Sequence, residues 1–538
     1  MNIGIQRSGR RPWFYLCVSF FYMVSISLII FLICSCSRTE QARSLPSEQN
    51  KTVTNTGSKR AMPTSVNNGQ PITSPSSNPF SAIPQVHDAL IKLDIWLEGQ
   101  CLKHDLPGFS IGIIHDQDLI WSKGYGLADV DNKIPATDRT LYPVGSITKT
   151  FTATAVMQLV EEGKLSLEDP VSTYLPWFTP KEADPSQPIR VWHLLTHTAG
   201  LQENPPGTNW DTLESPASSA VYSATRETPL SIPTQTRLKY SNYGFVVAGE
   251  LVAKLSNISY ARYIEEKVLE PIGMTNSFFL DGTQTQPGLA VPYGRRLSGL
   301  PRRVEQQMKM QGLISAGGLV TSIQDLSKWA SFQFLESDEY KGPVLTGRSI
   351  REMHRPRFLV PNWSQGFGIG WWLFRGEKRA EIGHSGIMPG YRSSMLINPS
   401  TKVAVIVLIN ADDGPLDLAR GAMKIVSSSI EIGAASLEEI ADPGANLAPF
   451  EGLYRDRWGS YQRVVVLGGQ LRVIDLDADD IDAGTTTLKQ IGPTTFISQI
   501  PDSAVFNAES IIKFKMESAG CAASFTDEDG SHLLQRVK

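Results

Sequence analysis

Cysteine is scarce in this sequence: there are five in 538 residues, and three of them, Cys17, Cys34 and Cys36, fall within the first 36 positions. Only Cys101 and Cys521 remain for the rest of the chain, which excludes a disulfide framework; spacing alone does not say whether those two pair. A basic excess is missing as well. The formal net charge is −4, so there is no sign of the basic face that phosphate-backbone binding needs, and nucleic acid is not expected as a partner. No internal repeat is found. With 41% hydrophobic residues over this length, the chain can bury a large core, and one large domain with attachments is expected.

The N-terminus stands apart. Arg7, Arg10 and Arg11 precede an uncharged, largely apolar run from Trp13 to Cys36, the pattern of an export signal or a membrane anchor. The run ends in Leu32-Ile33-Cys34-Ser35-Cys36, which resembles a bacterial lipoprotein cleavage site with Cys36 as the modified residue; an uncleaved N-terminal helix is the alternative. Either reading puts the bulk of the chain outside the cytoplasm, held to a bacterial envelope membrane by residues 1–36. Residues 37–80 are rich in Ser, Thr, Pro, Asn and Gln and almost free of large apolar side chains, so they read as a disordered tether.

Order is expected from about Ser81, where Val86, Leu90, Leu93 and Leu97 recur at helical spacing. Strand-like runs follow at Phe109 to Ile114 and Leu119 to Tyr125. The middle alternates helical segments, such as Val246 to Leu255, with Pro/Gly-rich stretches. Four further strand runs then appear: Gly366 to Phe374, Ala380 to Ile387, Tyr391 to Ile397 and Val403 to Ile409. Their short links predict antiparallel neighbours, and a helix from about Leu416 to Ile432 closes the block. Sheet elements at both ends with helices inserted between them make an α+β domain over residues 81–433. Residues 434–448 read as a linker. Runs at Tyr461 to Val466, Leu471 to Leu476, Thr495 to Gln499, Ile511 to Met516 and Ala522 to Phe525 predict a small all-β domain, barrel-like or sandwich, over 449–538.

The chemistry centres on Gly145-Ser146-Ile147-Thr148-Lys149. A serine hydroxyl is a weak nucleophile until a base takes its proton, and Ser146 precedes an evident helix on which positions i and i+3 share a face. Lys149 therefore reaches the hydroxyl, provided that burial and the helix dipole keep it neutral. Serine is also an ordinary helix cap, and Ser146 is expected to do both jobs. A second Ser-x-x-Lys, Ser510 to Lys513, lies in a strand pattern, where i and i+3 point to opposite faces and do not cooperate.

Two more features accompany the first pair. Tyr240-Ser241-Asn242, the one Tyr-x-Asn in the chain, lies just before a helix, and His384-Ser385-Gly386 lies on a strand. Ser-x-x-Lys, Tyr-x-Asn and a basic-x-Gly triplet, in that order, resemble the class C β-lactamase and penicillin-recognising serine hydrolase superfamily. The stretches Leu194 to Leu201, Ala316 to Leu319 and Gly368 to Trp371 agree. The resemblance implies a β-lactamase/transpeptidase-like fold: an antiparallel sheet flanked by helices with an inserted helical region. It further implies that Ser146 forms an acyl-enzyme with Lys149 and Tyr240 sharing the base role. Asn242, His384 and Gly386 would bind substrate, and the backbone N–H groups of Ser146 and Ile387 would hold the oxyanion. No cofactor and no metal are implied, and the oligomeric state is left open.

One departure from the superfamily pattern matters. Where efficient β-lactamases of this class carry Lys-Thr-Gly, this chain has His384, which is mostly neutral at pH 7 and so weak at holding a substrate carboxylate. The reading therefore tilts to the related carboxylesterases and D-amino-acid peptidases, acting on small esters or D-amino-acid-type amides; a β-lactamase or DD-carboxypeptidase is the alternative. From another class, a non-catalytic cell-wall sensor would keep the pocket without turnover. His193 and His197 have the i, i+4 spacing of a zinc helix but lack the intervening Glu. Gly383-His384-Ser385 begins like an α/β-hydrolase elbow but has Ile387 where a glycine belongs.

Overall fold

Pro84, with its preset φ, starts the first helix, Pro84–His104, and Asp105 ends it in the left-handed conformation. This computed structural model describes residues 83–280, 286–376, 380–414, 417–435, 446–478, 481, 484–499, 510–517, 520–527 and 533–537. The expected anchor and tether, and residues 436–445 of the expected linker, lie outside the described residues. No helix among the described residues is long and apolar enough to cross a membrane.

Nine antiparallel strands form the main sheet. Their spatial order is Ile134–Pro135, Asp118–Asp129, Gly108–His115, Val403–Ile409, Tyr391–Asn398, Glu381–Met388, Trp372–Phe374, Gln365–Phe367 and Phe358–Leu359. The central strand Val403–Ile409 is buried at every position, and its period of two divides the molecule. Ala404, Ile406 and Leu408 face the cluster that contains the inserted helices. Val403, Val405, Val407 and Ile409 face a second cluster with the helices Pro84–His104 and Leu418–Ala435. Pairing the N-terminal hairpin with the last strand, Phe109 opposite Ile409, closes the domain around everything inserted between them.

The run from Gly366 to Phe374, expected as one strand, is two short strands separated by a turn. Gly370 there has φ +79°, its N–H donates to the carbonyl of Leu195, and a Cβ would stand 2.4 Å from that of Ala153. The chain turns at this point to press against the helix that follows Ser146.

The C-terminal region is a closed barrel of eight strands running from Gly452–Arg455 to Leu533–Arg536, which pair with each other to shut it. Its interior is filled by aromatics, among them Phe450, Tyr454, Phe496, Phe514 and Phe525. Leu453, Leu467, Ile474, Leu476 and Ile481 instead join the apolar cluster of the two terminal helices. Gly99 allows this close approach, because a Cβ there would meet the carbonyl of Leu476 at 2.7 Å. Glu98 and Arg463 form an ion pair across the same seam. Cys101 and Cys521 are both free thiols, and burial pushes that of Cys101 up to about 12.

Candidate active site

The turn that carries Ser146 is held by its neighbours. Thr148 donates its hydroxyl to the Gly145 carbonyl at 2.7 Å and accepts the N–H of Leu319 at 3.1 Å, and Ser393 donates to the carbonyl of Val144 at 2.8 Å. Gly145 has φ +51°, and a Cβ there would lie 3.0 Å from the Ile387 nitrogen; a Cβ on Gly386 would lie 2.0 Å from the Val144 oxygen. Two glycines thus let the strand Glu381–Met388 run against the turn, setting the backbone of Ile387 beside that of Ser146. The expectation that Ser146 caps the following helix is not met. It sits in a 3-10 turn, Gly145–Ile147, that leads into the helix Thr148–Glu161, and its side chain makes no capping bond. Its hydroxyl is turned to Lys149 instead.

Lys149 is completely buried. Its Nζ lies 2.9 Å from Ser146 Oγ and donates to the Ala316 carbonyl at 2.7 Å. It also lies over the rings of Tyr240 and Phe245, at 5.2 and 5.7 Å from their centroids. No carboxylate among the described residues pairs with it. Burial therefore holds its pKa well below the ordinary lysine value, with the charge of Glu203 opposing the shift.

Tyr240 ends a loop, and Ser241 caps the helix Asn242–Ser256 by accepting the N–H of Gly244 at 3.0 Å. The phenol is largely removed from solvent, which raises its pKa, while a hydrogen bond to the Ser146 side chain pulls the other way. Above it stacks His197, ring centroids 4.2 Å apart. His197 itself has φ +57°, is 1% exposed, and accepts the N–H of Ser241 on Nδ1 at 3.0 Å. Asn242, at the first position of its helix, donates its amide to Asn204 Oδ1 at 2.8 Å. No sequence pattern marks His197 as a positioning residue, because the left-handed turn at Thr196-His197-Thr198 carries no periodicity.

His193 and His197 do not share a helix. Val191–Leu195 ends first, and His193 is engaged by the Arg190 N–H at 2.9 Å and by the Gln235 amide at 2.6 Å. Ser510 and Lys513 lie at the strand Ile511–Met516 as expected, in the barrel.

A cleft of about 650 Å³ opens over Ser146, lined by Tyr240, Asn242, His384 and Ile387 together with the acidic residues Glu203, Asp211, Glu305 and Asp412. Among the described residues, none of the barrel lines it. Ile387, 54% exposed, forms part of the wall. His384 is 4% exposed; its Nδ1 faces the Ser385 carbonyl at 2.8 Å, and its buried Nε2 has no hydrogen-bond partner. Burial, with Lys149 adding to it, lowers its pKa to about 3. Among the described residues no cluster of His, Cys, Asp and Glu has the arrangement of a metal site.

A family model described as Beta-lactamase matches residues 88–428. Protein flp of Staphylococcus aureus (strain MRSA252) is 28% identical over 327 residues, which are 60% of this chain and 63% of that protein. The putative penicillin-binding protein PbpX of Bacillus subtilis is 27% identical over 298 residues, 55% of this chain and 69% of that one. This chain thus spans somewhat less than two thirds of the first of these relatives. Among solved structures, the octameric penicillin-binding protein homologue from Pyrococcus abyssi superposes with a TM-score of 0.53 at 26% identity, covering 83% of this chain and 99% of that one. D-amino acid amidase from Ochrobactrum anthropi SV3, complexed with L-phenylalanine amide, superposes with a TM-score of 0.52 at 22% identity over 65% of this chain and 99% of its own.

Proposed function

Since the chain belongs to the β-lactamase family of serine hydrolases, we propose that it cleaves small esters or D-amino-acid-type amides through an acyl-enzyme on Ser146. The observation that carries this reading is the 2.9 Å approach of a wholly buried Lys149 Nζ to Ser146 Oγ. A buried lysine with no carboxylate partner is neutral at a pH where an exposed one is charged, and a neutral amine accepts the hydroxyl proton.

The pKa directions divide the work between the two groups. Lys149, shifted down, is the base; Tyr240, shifted up, stays a phenol and acts as the acid. Ser146 Oγ bonds to the carbonyl carbon while its proton passes to Lys149. The oxyanion forms against the N–H groups of Ser146 and Ile387. Collapse breaks the bond to the leaving group, which takes a proton from Tyr240, and Lys149 returns its own to the phenolate. Water then attacks the acyl-enzyme, giving its proton to Lys149, which passes it to Ser146 Oγ as the acyl–Oγ bond breaks, so that the acid leaves and the Ser146 hydroxyl is restored. His197 would keep the phenol in place. Asn242, fixed by Asn204, would hold the acyl side of the substrate, and Gly386 would let it lie close to the strand.

His384 weighs against efficient penicillin hydrolysis or DD-carboxypeptidase action, because a neutral buried imidazole offers no cation to a carboxylate. The assembled Ser146, Lys149 and Tyr240 weigh against a non-catalytic sensor. The arginine-led apolar run supports an extracytoplasmic enzyme anchored to the envelope; the mass of the mature N-terminal peptide from membrane fractions would show whether Cys36 is the modified first residue.

The test is hydrolysis of a short-chain p-nitrophenyl ester, with labelling by a fluorophosphonate probe, for the parent and for Ser146→Ala. Turnover and labelling that both vanish in the variant support the reading; a parent that neither labels nor turns over defeats it.

A further inference from the structure

Half of the large apolar side chains that the described residues leave in solvent gather at one end of the first helix. Of twelve such side chains, six, Leu102, Leu297, Leu300, Val304, Trp458 and Leu533, lie on segments that meet there; exposed apolar residues ordinarily scatter singly. Leu102 is in the last turn of Pro84–His104. The Arg302 guanidinium donates to the carbonyls of His104 and Asp105 at 3.5 and 3.2 Å, and Arg296 pairs with Asp105 at 3.1 Å, so the loop that carries Leu297, Leu300 and Val304 is fixed to the helix end. The barrel reaches the same end. Asp88 accepts the N–H of Gly468 and Glu98 pairs with Arg463, so the strand Tyr461–Leu467 runs antiparallel to the helix. From Asp88 to Glu98 the helix rises about 15 Å, and from Gly468 back to Arg463 the strand covers about 17 Å. Followed past Tyr461, the strand's line brings the turn at residues 456–460, with Trp458, level with Asp105. Leu533 precedes by two residues Gln535, the partner of Arg455, and so stands at that end of the barrel too.

Leu297, Leu300 and Trp458 are 60, 62 and 76% exposed, and each sits on a braced turn. Leu300 donates its N–H to the Leu297 carbonyl at 3.1 Å, and the Gly294 N–H closes the loop on the Arg303 carbonyl at 2.9 Å. Under the loop, Arg302 pairs with Asp413 at 2.5 Å. Asp456 Oδ1 accepts the N–H groups of Trp458, Gly459 and Ser460 at 2.8, 2.7 and 2.9 Å. Turns held in this way lose little entropy on binding. Cations accompany the tips: the Arg457 guanidinium lies 4.3 Å from the centre of the Trp458 ring, and neither Arg457 nor Arg295 makes an ion pair among the described residues. A chain whose formal net charge is −4 thus sets unpaired guanidinium groups beside its apolar tips. Leucine and tryptophan tips with arginines beside them suit the boundary between lipid headgroups and acyl chains, where the apolar parts enter and the guanidinium groups meet phosphate. They suit a second copy of this chain poorly, because a two-fold contact would set the arginines of one copy against those of the other.

We propose that this face docks on an anionic phospholipid bilayer, with Leu297, Leu300 and Trp458 entering the interface and Arg295 and Arg457 meeting lipid phosphates. The proposal goes beyond the hydrolase reading and needs no turnover. The anchor read in residues 1–36 would hold a bilayer within reach. The tether read in residues 37–80 would span about 35 Å r.m.s., against about 31 Å for the helix Pro84–His104 that separates it from this face.

The experiment reconstitutes the full chain in vesicles of phosphatidylglycerol and phosphatidylethanolamine with plain or brominated acyl chains, and reads quenching of tryptophan emission by the bromine. The parent is compared with Trp458→Phe, Trp363→Phe and Leu297→Ser/Leu300→Ser. Trp458→Phe removes the reporter while keeping an aromatic tip. Trp363, 68% exposed, lies between the strands Phe358–Leu359 and Gln365–Phe367 at the far edge of the sheet and serves as the control. The quenched part of the emission should shrink in Trp458→Phe and stay unchanged in Trp363→Phe. The docking constant that the quenching reports should fall roughly tenfold or more in the double serine variant, the scale of two leucines returned to water. Phosphatidylcholine in place of phosphatidylglycerol should weaken it as well. All the substituted side chains are exposed, so the melting transitions should coincide. Equal quenching in Trp458→Phe and the parent, or quenching that survives the double serine variant, overturns the proposal. Trp458 emission that responds to protein concentration in detergent but not to brominated lipid also overturns it, in favour of a second copy on this face. Flotation with the vesicles reads the anchor separately: a chain that does not float defeats the anchor reading, and docking is then read in the same way after mixing the chain with the vesicles.

Discussion

The imidazole of His197 lies on the phenol of Tyr240, ring centroids 4.2 Å apart and planes 29° from parallel, while its Nδ1 accepts the N–H of Ser241. One side chain thus fixes both the ring and the backbone of the Tyr-x-Asn segment. His197→Phe keeps a stacking surface but strands the Ser241 N–H, at a cost of about 1–3 kcal/mol; it also places a residue that disfavours φ > 0 at +57°. Asn at this position keeps an acceptor and tolerates that φ. We expect kcat to fall about tenfold or more in His197→Phe with KM little changed, and His197→Asn to recover a large part of it, since a misplaced phenol affects the chemical step more than binding. Equal losses in kcat and KM, with no rescue by Asn, would speak for general disruption.

Lys149 yields a prediction in which activity and stability move apart. Its folded pKa is depressed, so between that value and the ordinary lysine pKa the unfolded chain holds a proton that the folded chain has released. The unfolded state then binds more protons, and stability rises with pH by about 1.4 kcal/mol per unit. Replacement by Met removes this dependence. Lys149→Met should abolish ester turnover, and chemical denaturation from pH 6 to 9 should show the parent gaining stability relative to the variant as pH rises. Parallel curves would mean that Lys149 is charged in the folded protein and is not the base.

The same directions shape the rate profile. The parent's kcat/KM should rise with pH as Lys149 loses its proton and level off well below the range of an exposed lysine. The Glu203 carboxylate stabilises the ammonium form, so Glu203→Gln should move the acidic limb to lower pH. A few tenths of a unit is the expected scale for an exposed, screened partner. A limb that moves to higher pH contradicts the placement of Glu203 near the base.

His384→Lys tests what the histidine withholds. The new ammonium would stand in a site that drives even an imidazole to neutrality, so it should lower stability, by roughly 1–3 kcal/mol. A carboxylate-bearing substrate would supply its missing counter-charge. The ratio of nitrocefin to neutral-ester hydrolysis should therefore rise in the variant, and an unchanged ratio would remove His384 from substrate recognition.

What the sequence made legible followed from local spacing. The opening helix, the hairpin, the last strands and the order Ser146-Lys149, Tyr240-Asn242, His384-Gly386 depend on residues a few positions apart. Tertiary contact decided the rest. The strand run at Gly366 to Phe374 breaks because Gly370 packs on Ala153. The barrel strands Gly452–Arg455, Thr485–Gly492 and Leu533–Arg536 are short or threonine-rich and show weak alternation. His197 and Glu203 sit in irregular loops, where side-chain direction follows from backbone turns that no periodic pattern announces. The helix cap expected of Ser146 failed for a related reason: the 3-10 turn aims its hydroxyl at Lys149.

The barrel gives the last prediction, because its place in the core argues against a direct gate. Leu453, Leu467 and Leu476 share an apolar cluster with the terminal helices, behind the face of the sheet opposite to the inserted helices, and none of the barrel's described residues lines the cleft. Leu476 is 2% exposed and its backbone touches Gly99. Leu476→Asp buries a charge at that seam without a partner, which should cost several kcal/mol. If the barrel only braces the helices, thermal unfolding should begin earlier in this variant, while kcat/KM for a neutral ester at low temperature stays within about twofold of the parent; a wild-type melting curve with altered KM would instead make the barrel part of the substrate path.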